Sequence, residues 1–303
     1  MNYIPFALPL LMVASSVLAV EGELTTRIKY LDGASRSTVE YKADSSFDQR
    51  EVRRKARWES DTLLKIELTP EEEWRWSARL GYNSRRTVDH KRTFREDGSL
   101  KKDKTRTEWR QYPYAGLGLR YDYGSQLGGD AWSLRLYHDR FFDVDYHSSD
   151  LASDAKPIAG RGTGYESEVS IRAEYMTPWY SLYLLPKLSL THTRFSAWTN
   201  TAQDEVEKAE QELQYEAKLW LDWITPMAGW ELIAGPSWQL EEQAERDHGE
   251  AWQWEDKEQW LATVRLEYES PAPGFEMELQ AEHWLNGPDR HDTRYKVELS
   301  YEF

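Results

Sequence analysis

The sequence of 303 residues contains no cysteine, which excludes disulfide bonds, thiolate metal sites and a cysteine nucleophile. After residue 20 no stretch of about 20 residues is free of charge, so a bundle of membrane-spanning helices is excluded. GxSxG, P-loop and GxGxxG motifs are absent as well. The 53 acidic residues outnumber the 38 basic ones, and the resulting net charge of −15 disfavours nucleic acid as a partner.

The chain is rich in aromatic residues, with 15 tryptophans and 18 tyrosines. Both side chains favour places where one end is wet and the other is apolar, such as the boundary of a membrane. This much interfacial aromatic surface in an acidic chain argues against an ordinary soluble protein.

The first 19 residues form a separate segment. Residues 3–19 carry no charge, Val17-Leu18-Ala19 fits the small-residue pattern of a cleavage site, and Glu21 and Glu23 follow. These features predict a secretory signal peptide over 1–19 and one further domain over 20–303. An N-terminal membrane anchor is the alternative, although the apolar run is short for a membrane span.

The rest of the chain alternates apolar and polar residues with a period of two, which indicates β-strands. In one run the apolar members are Trp74, Trp76, Ala78, Leu80 and Tyr82. Similar runs occur at 180–191, 212–223, 259–269 and 294–303. Their length of about 9–11 residues is that of a tilted transmembrane strand.

Short turns recur between these runs. They lie at Thr69-Pro70, Gly124–Asp130, Thr177-Pro178, Thr225-Pro226 and Ser270-Pro271, and an aromatic residue stands within a few residues of each. Longer, polar and charged connections alternate with them, around 33–49, 95–104, 148–163, 199–208, 246–253 and 286–291. Short turns on one side and long loops on the other are typical of bacterial outer-membrane proteins.

These patterns predict an all-β fold, a single antiparallel transmembrane β-barrel of about twelve strands in the bacterial outer membrane. The short turns are periplasmic and the long loops extracellular. Strand twelve should lie beside strand one, with Phe303 facing outward at the periplasmic aromatic girdle in line with Tyr301. The alternative is a soluble β-sandwich, in which aromatic residues would not cluster at the strand ends.

If the apolar residues of each alternating run face lipid, the residues between them face the lumen. Charges on the lipid side would each cost roughly 2–4 kcal/mol at the midplane, whereas a water-filled lumen accommodates them. The luminal candidates are basic on the early strands and mostly acidic on the later ones, which predicts a basic wall facing an acidic wall. The pore-lining residues predicted to bind substrate are Arg53, Arg57, Arg75, Arg79, Arg110, Arg120, Arg135, Tyr112 and Tyr114.

The terminal segment Asp292–Phe303, read as DTRYKVELSYEF, resembles the last strand of the oligogalacturonate-specific porin family of the KdgM type, which ends in a similar TRYRV-x-x-x-Y-x-F pattern. The segment Arg110-Gln111-Tyr112-Pro113-Tyr114, followed by an apolar strand to Arg120, resembles an arginine strand of that family. The resemblance implies a monomeric twelve-stranded channel that passes acidic oligosaccharides along luminal arginines.

An enzymatic role finds little support in the sequence. The only local candidate for a lipid hydrolase is His147-Ser148-Ser149-Asp150. Counting from Arg135 along a regular strand, His147 and Ser149 are expected to face the lumen, whereas a lipid hydrolase needs its nucleophile exposed to lipid. No histidine pair has the spacing of metal ligands, and neither a metal nor a cofactor is predicted.

The resulting hypothesis is an outer-membrane porin for passive diffusion of hydrophilic solutes, in contact with outer-membrane lipid, with acidic oligosaccharides tracking the arginine wall. A general, non-specific porin is the first alternative. The others are a structural barrel with a blocked lumen and a lipid-modifying enzyme.

Overall fold

The computed structural model describes residues 21–33, 35–41, 47–68, 73–124, 131–150, 157–179, 181–202, 204–246, 251–271, 274–287 and 289–303. The signal peptide predicted over 1–19 lies outside these residues. Twelve strands form the wall of the molecule: β1 Gly22–Asp32, β2 Phe47–Glu67, β3 Trp74–Phe94, β4 Leu100–Gly124, β5 Ala131–Asp150, β6 Ile158–Met176, β7 Leu182–Phe195, β8 Ala209–Ile224, β9 Trp230–Arg246, β10 Gln253–Glu269, β11 Phe275–Trp284 and β12 Thr293–Glu302.

The twelve strands close into a barrel. Each strand pairs antiparallel with the next along the chain. β12 pairs with β1 from Glu23↔Glu302 to Asp32↔Thr293, so both sheet edges are satisfied. The predicted strand count and seam are therefore confirmed. Three further short strands, Arg36–Tyr41, Trp198–Thr199 and Glu205–Glu207, lie outside this ring.

Nine of the twelve strands are longer than the sequence pattern predicted, and β2 to β5 are the longest. β2 and β3 have 21 residues each, β4 has 25 and β5 has 20, against about 9–11 expected for a membrane strand. The alternation of apolar residues ends where the lipid ends, but cross-strand hydrogen bonds continue beyond it. β2 to β5 consequently extend past the membrane on the side of the long loops.

The apolar residues of the alternating runs lie on the outer surface of the barrel, as predicted. Leu80, Leu117, Leu188 and Val264 are exposed although they are apolar, and each lies within a strand of the wall. Exposed aromatic residues stand where strands meet the short turns, including Trp74, Trp76, Tyr123, Trp132, Trp223 and Tyr301. This band and girdle form a surface suited to a bilayer. Among the described residues, no helix is long and apolar enough to cross a membrane.

Phe303 lies at the seam, on the outer face. Its ring stacks on Tyr301 with centroids 6.4 Å apart, and a Cβ atom on Gly22 would come within 2.6 Å of it. The backbones of Gly22 and Phe303 exchange two hydrogen bonds of 3.0 and 2.9 Å. The predicted outward position in line with Tyr301 is confirmed.

Deleting Phe303 is expected to impair assembly, because it removes both of these hydrogen bonds and uncovers Gly22 at the closing seam. The measurement is the amount of heat-modifiable barrel in outer membranes of cells that express each variant. Phe303→Tyr keeps the ring and the backbone and should assemble as the wild type does. Equal amounts for the deletion and the wild type would contradict the prediction.

Candidate functional site

The nine predicted pore-lining residues share the inner face of the barrel. Neighbours on a strand point to opposite faces, and the residues that flank these nine include the outward Trp74, Trp76 and Leu136. The structure sorts the nine into two groups. In one group the side chains are committed to partners within the wall, and in the other the guanidinium groups remain accessible.

Three arginines form a row near the short-turn end of the lumen. Arg75 on β3 lies directly opposite Arg120 on β4, and Arg120 lies opposite Arg135 on β5. Asp122 is the carboxylate that contacts arginines of this row. It accepts a hydrogen bond of 2.9 Å from Arg120 Nε and lies 3.9 Å from Arg75.

Arg135 is exposed and makes no ion pair with the described carboxylates. The arginine row (Arg75, Arg120, Arg135) therefore has more positive charge than its own partner neutralises. Arg172 on β6 lies diagonally next to Arg135 and extends the positive charge, because Arg135 pairs with Ser170. Arg172 is not among the pore-lining residues predicted from the sequence, although its side chain also faces the lumen from β6.

The opposite wall of the same end is acidic. A cavity of about 380 Å³ lies between the ends of β8 to β12. The glutamates that line it are Glu231, Glu267, Glu269, Glu276, Glu278 and Glu298. Part of this charge is compensated within the wall, because Lys296 lies 2.5 Å from Glu278 and 3.0 Å from Glu298. The lumen thus has a basic side on β3–β6 and a more acidic side on β9–β12.

Arg79 is not free in the lumen. Its guanidinium forms hydrogen bonds of 2.9, 3.2 and 3.0 Å with the buried carboxylate of Asp139 and lies 4.4 Å above the ring of Tyr137. Gly116, on the strand between them, makes this possible, because a Cβ there would lie 2.2 Å from Asp139 Oδ1. Arg79 therefore ties β3 to β5 across β4 instead of offering a free cation to a solute.

Tyr114 is likewise held within the wall. It is 7% exposed, and its hydroxyl donates a 3.0 Å hydrogen bond to Asp61 on β2. The ring crosses β3 at Gly81, where a Cβ would meet it at 2.2 Å. Tyr112 packs against Phe141, with ring centroids 4.5 Å apart. Tyr114 is therefore buried and Tyr112 half-buried against neighbouring side chains, and substrate binding by these two tyrosines stays a prediction.

Arg110 is largely enclosed, with a side-chain exposure of 13%. Its two terminal nitrogens donate hydrogen bonds of 2.5 Å to the two carboxylate oxygens of Glu210 at the start of β8. Its guanidinium also lies 4.8 Å from the centroid of the Trp198 ring. This ion pair connects β4 with β8 and bypasses the three strands between them.

Trp198 belongs to the connection between β7 and β8, which folds inward. The side chain is fully buried and stacks on Phe195 at 5.6 Å. Tyr146 on β5 lies 5.5 Å from it, and the Tyr146 hydroxyl donates a 2.7 Å hydrogen bond to Glu207 of the same connection. Gly162 leaves the space for the indole, since a Cβ there would meet it at 3.2 Å.

These side chains form an aromatic cluster on the inner wall, which consists of Tyr114, Phe141, Val144, Tyr146, Phe195 and Trp198. Together with the Arg110–Glu210 pair it fills the part of the lumen between β4 and β8 on the long-loop side. This connection was predicted from the sequence as an extracellular loop, and its inward fold was not predicted. The signal was present in Gly162 and Gly164, which stand at luminal positions opposite the connection.

Arg53 and Arg57 lie above this level, on β2. Arg53 forms an ion pair with Asp89, and both side chains are accessible. Arg57 is half-buried, and its Nε has no hydrogen-bond partner among the described residues. Arg85 on β3 lies diagonally opposite it, because Arg57 pairs with Thr87. The two like charges next to each other make this a second positive position in the lumen.

The segment His147–Asp150 differs from its expected orientation. The pairing of β5 shifts between Phe141 and Val144, and Asp143 has a φ of 44°. Such a bulge adds a residue and reverses the parity of everything that follows. Ser148 is consequently buried inside, and His147 is exposed on the outer face. The described residues contain no group of three or more His, Asp or Glu side chains placed to hold a metal ion.

No protein-family model and no curated protein matches this sequence. Among solved structures it is similar to the transport unit of the autotransporter AIDA-I from Escherichia coli, with a TM-score of 0.58, 10% identity, and coverage of 96% of this chain and 92% of that chain. It is also similar to the β domain of the Bordetella autotransporter BrkA, with a TM-score of 0.52, 10% identity, and coverage of 93% of this chain and 99% of that chain. An outer membrane channel from Pseudomonas putida F1 is similar with a TM-score of 0.52 and 10% identity, and the match covers 93% of this chain and 96% of that chain.

The closed twelve-stranded wall, the apolar outer band and the charged interior define a bacterial outer-membrane β-barrel, and the solved structures agree with this fold. At 10% identity the likenesses show the fold alone. These structures are outer-membrane barrels, and they do not confirm membership of the oligogalacturonate-specific family that the terminal strand resembles.

Proposed function

We propose that this barrel is a passive outer-membrane channel for small hydrophilic solutes, and that acidic oligosaccharides are the class it passes best. The observation that carries the proposal is the arginine row, in which Asp122 contacts Arg75 and Arg120 while the adjacent Arg135 forms no ion pair with the described carboxylates. A second positive position, Arg57 with Arg85, lies further toward the extracellular side.

These arginines form several weak binding sites in series along the lumen. A guanidinium group stays charged and binds a carboxylate through two parallel hydrogen bonds. Successive sites of this kind lower the energy of an acidic solute along the whole path without trapping it at one point, which favours conduction. Arg79, Arg110 and Tyr114 then shape the lumen, and the groups that contact the solute are Arg53, Arg57, Arg75, Arg120 and Arg135.

A general porin is the second candidate, and the acidic cavity favours it. Glutamates on β9–β12 face the arginine row, so the two walls set up a field across the lumen and offset each other's charge. Under this alternative the arginines balance the glutamates, and solutes are sorted by size alone. Weak net ion selectivity is expected in both cases. Because one chain closes the barrel, a monomer is part of the proposal.

The test compares the transport of an oligosaccharide of uronic acids with that of a neutral oligosaccharide of equal length, in liposomes that contain the pure protein. Replacing Arg75, Arg120 and Arg135 together with Gln should slow the acidic solute about tenfold, equivalent to about 1.4 kcal/mol of lost attraction, and leave the neutral one unchanged. Replacing the outward-facing Arg92, Arg140 and Arg161 with Gln removes the same charge without changing the lumen.

The outcomes separate the two candidates. Equal losses for both solutes in the arginine-row variant would favour the general porin. If the pure protein gave no transport of either solute and no conductance in planar bilayers, the channel function itself would be wrong.

A further inference from the structure

A lateral row of aromatic residues marks the extracellular boundary of the lipid-facing surface. Tyr295 on β12 pairs with Tyr30 on β1, Tyr30 with Trp58 on β2, Trp58 with Arg86 on β3, and Arg86 with Trp109 on β4. All of them have the outward parity, and Tyr30 packs on Trp58 with ring centroids 4.3 Å apart. Rows of tyrosine and tryptophan of this kind lie at the level of the lipid headgroups.

Arg86 stands in the middle of this row. Its side chain is exposed, and its guanidinium lies 5.4 Å from the ring centroid of Trp109. Among the described residues it forms no ion pair with a carboxylate. An arginine that lies on an indole at headgroup depth, without an acidic partner in the protein, presents its hydrogen-bond donors to the lipid.

A second cationic group lies directly above it on the same face. Arg54 on β2 pairs with His90 on β3, and Arg92 is two residues beyond His90. The carboxylates that contact this group are Asp32, at 2.7 Å from Arg54, and Asp103, which lies 2.6 Å from His90 Nε2 and 3.3 Å from Arg92. Both arginines remain more than half exposed, with side-chain exposures of 58% and 52%.

The opposite side of the barrel carries the opposite charge. On the outer face of β9 and β10, Glu242 pairs with Asp256, and Glu258 accepts a 2.8 Å hydrogen bond from Trp238. A cationic outer face on β2–β4 is therefore a local property and not a general feature of the rim. In a chain with a net charge of −15, this concentration of outward arginines calls for an anionic partner.

The spacing of the two cationic positions narrows the choice of partner. His90 lies four residues beyond Arg86 on β3, which is about 13 Å along an extended strand. This is the length scale of a disaccharide with one phosphate at each end. Phosphorylated glycolipids of this kind form the outer leaflet in which the extracellular boundary of an outer-membrane barrel lies.

We propose that the outer face formed by Arg54, Arg86, His90 and Arg92, with Trp58 and Trp109 below, binds a bisphosphorylated disaccharide lipid of the outer leaflet. Arg86 binds one phosphate at the level of the aromatic row, and the Arg54–His90–Arg92 group binds the other. The acyl chains lie along the apolar band beneath. The site is separate from the lumen and does not depend on what the channel transports.

The experiment measures binding of purified bisphosphorylated lipid A to the folded, full-length barrel in a zwitterionic detergent by native mass spectrometry. Replacing Arg54, Arg86 and Arg92 together with Gln should weaken binding about a hundredfold, because each basic side chain near an anionic lipid surface contributes roughly a fivefold effect. The matched control replaces Arg53, Lys91 and Lys104 with Gln, which removes equal charge from the luminal face of the same strands.

Several results would overturn the proposal. One is equal affinity of the outer-face variant and the wild type, and another is equal affinity of the wild type for dephosphorylated lipid A. Displacement of the lipid by an equal concentration of inorganic phosphate would show an ion site and not a lipid site. If the triple variant fails to show heat-modifiable migration, Arg86→Gln alone is used, and a loss of less than twofold contradicts the proposal.

Discussion

Replacing Trp198 with Ala is expected to lower the free energy of unfolding by about 3–5 kcal/mol, the range for removing a large aromatic side chain from a packed interior. Trp198 is fully buried between Phe195 and Tyr146, and its ring also covers the guanidinium of Arg110. The same substitution should raise single-channel conductance, because the connection between β7 and β8 loses its anchor on the inner wall. Urea unfolding followed by heat-modifiable gel migration and planar-bilayer recording are the two measurements.

The control for Trp198 is Trp254→Ala, which removes an indole that is 49% exposed on β10. Its effect on unfolding should stay within about 1 kcal/mol, and its conductance should equal that of the wild type. A Trp198 variant with wild-type stability and conductance would show that the inward-folded connection neither supports the barrel nor narrows the lumen.

Replacing Glu210 with Gln is expected to destabilise the barrel by about 3–5 kcal/mol, because the enclosed guanidinium of Arg110 would lose its carboxylate. The Arg110 side chain is 13% exposed, so water replaces the lost partner poorly. Changing both residues together, Arg110→Met with Glu210→Met, should destabilise far less than Glu210→Gln, since no buried charge is left unpaired. A double-mutant cycle in urea unfolding measures the difference.

The exposed pair of Arg161 and Asp145 is the control for this cycle. Its atoms lie 3.2 Å apart, and the two side chains are 75% and 44% exposed. Its coupling should be about 1 kcal/mol or less, as for other solvent-exposed ion pairs. Similar coupling energies for the two pairs would mean that Arg110 is as well hydrated as Arg161, and the description of an enclosed bridge would be wrong.

The sequence alone determined the barrel, its strand count and the face that each strand turns to lipid. Side chains alternate between the faces of a strand, so the runs from Trp74 to Tyr82 and from Tyr295 to Phe303 show their orientation without knowledge of their neighbours. The short turns fixed how many strands follow one another. The seam between β1 and β12 followed from closure, because an open edge would leave hydrogen-bonding groups unsatisfied in lipid.

Only the tertiary structure decided which luminal groups are free. Arg79, Arg110 and Arg135 look alike in sequence, yet Asp139 and Glu210 occupy the first two and leave Arg135 accessible. These partners come from other strands, and their distance depends on the tilt and register of the closed barrel. In the same way the bulge at Phe141–Val144 reversed the parity of His147, since one inserted residue is invisible to a count along the chain. The alternation with a period of two shows on which face of the strand a side chain lies. The contacts across the lumen decide what that side chain can bind.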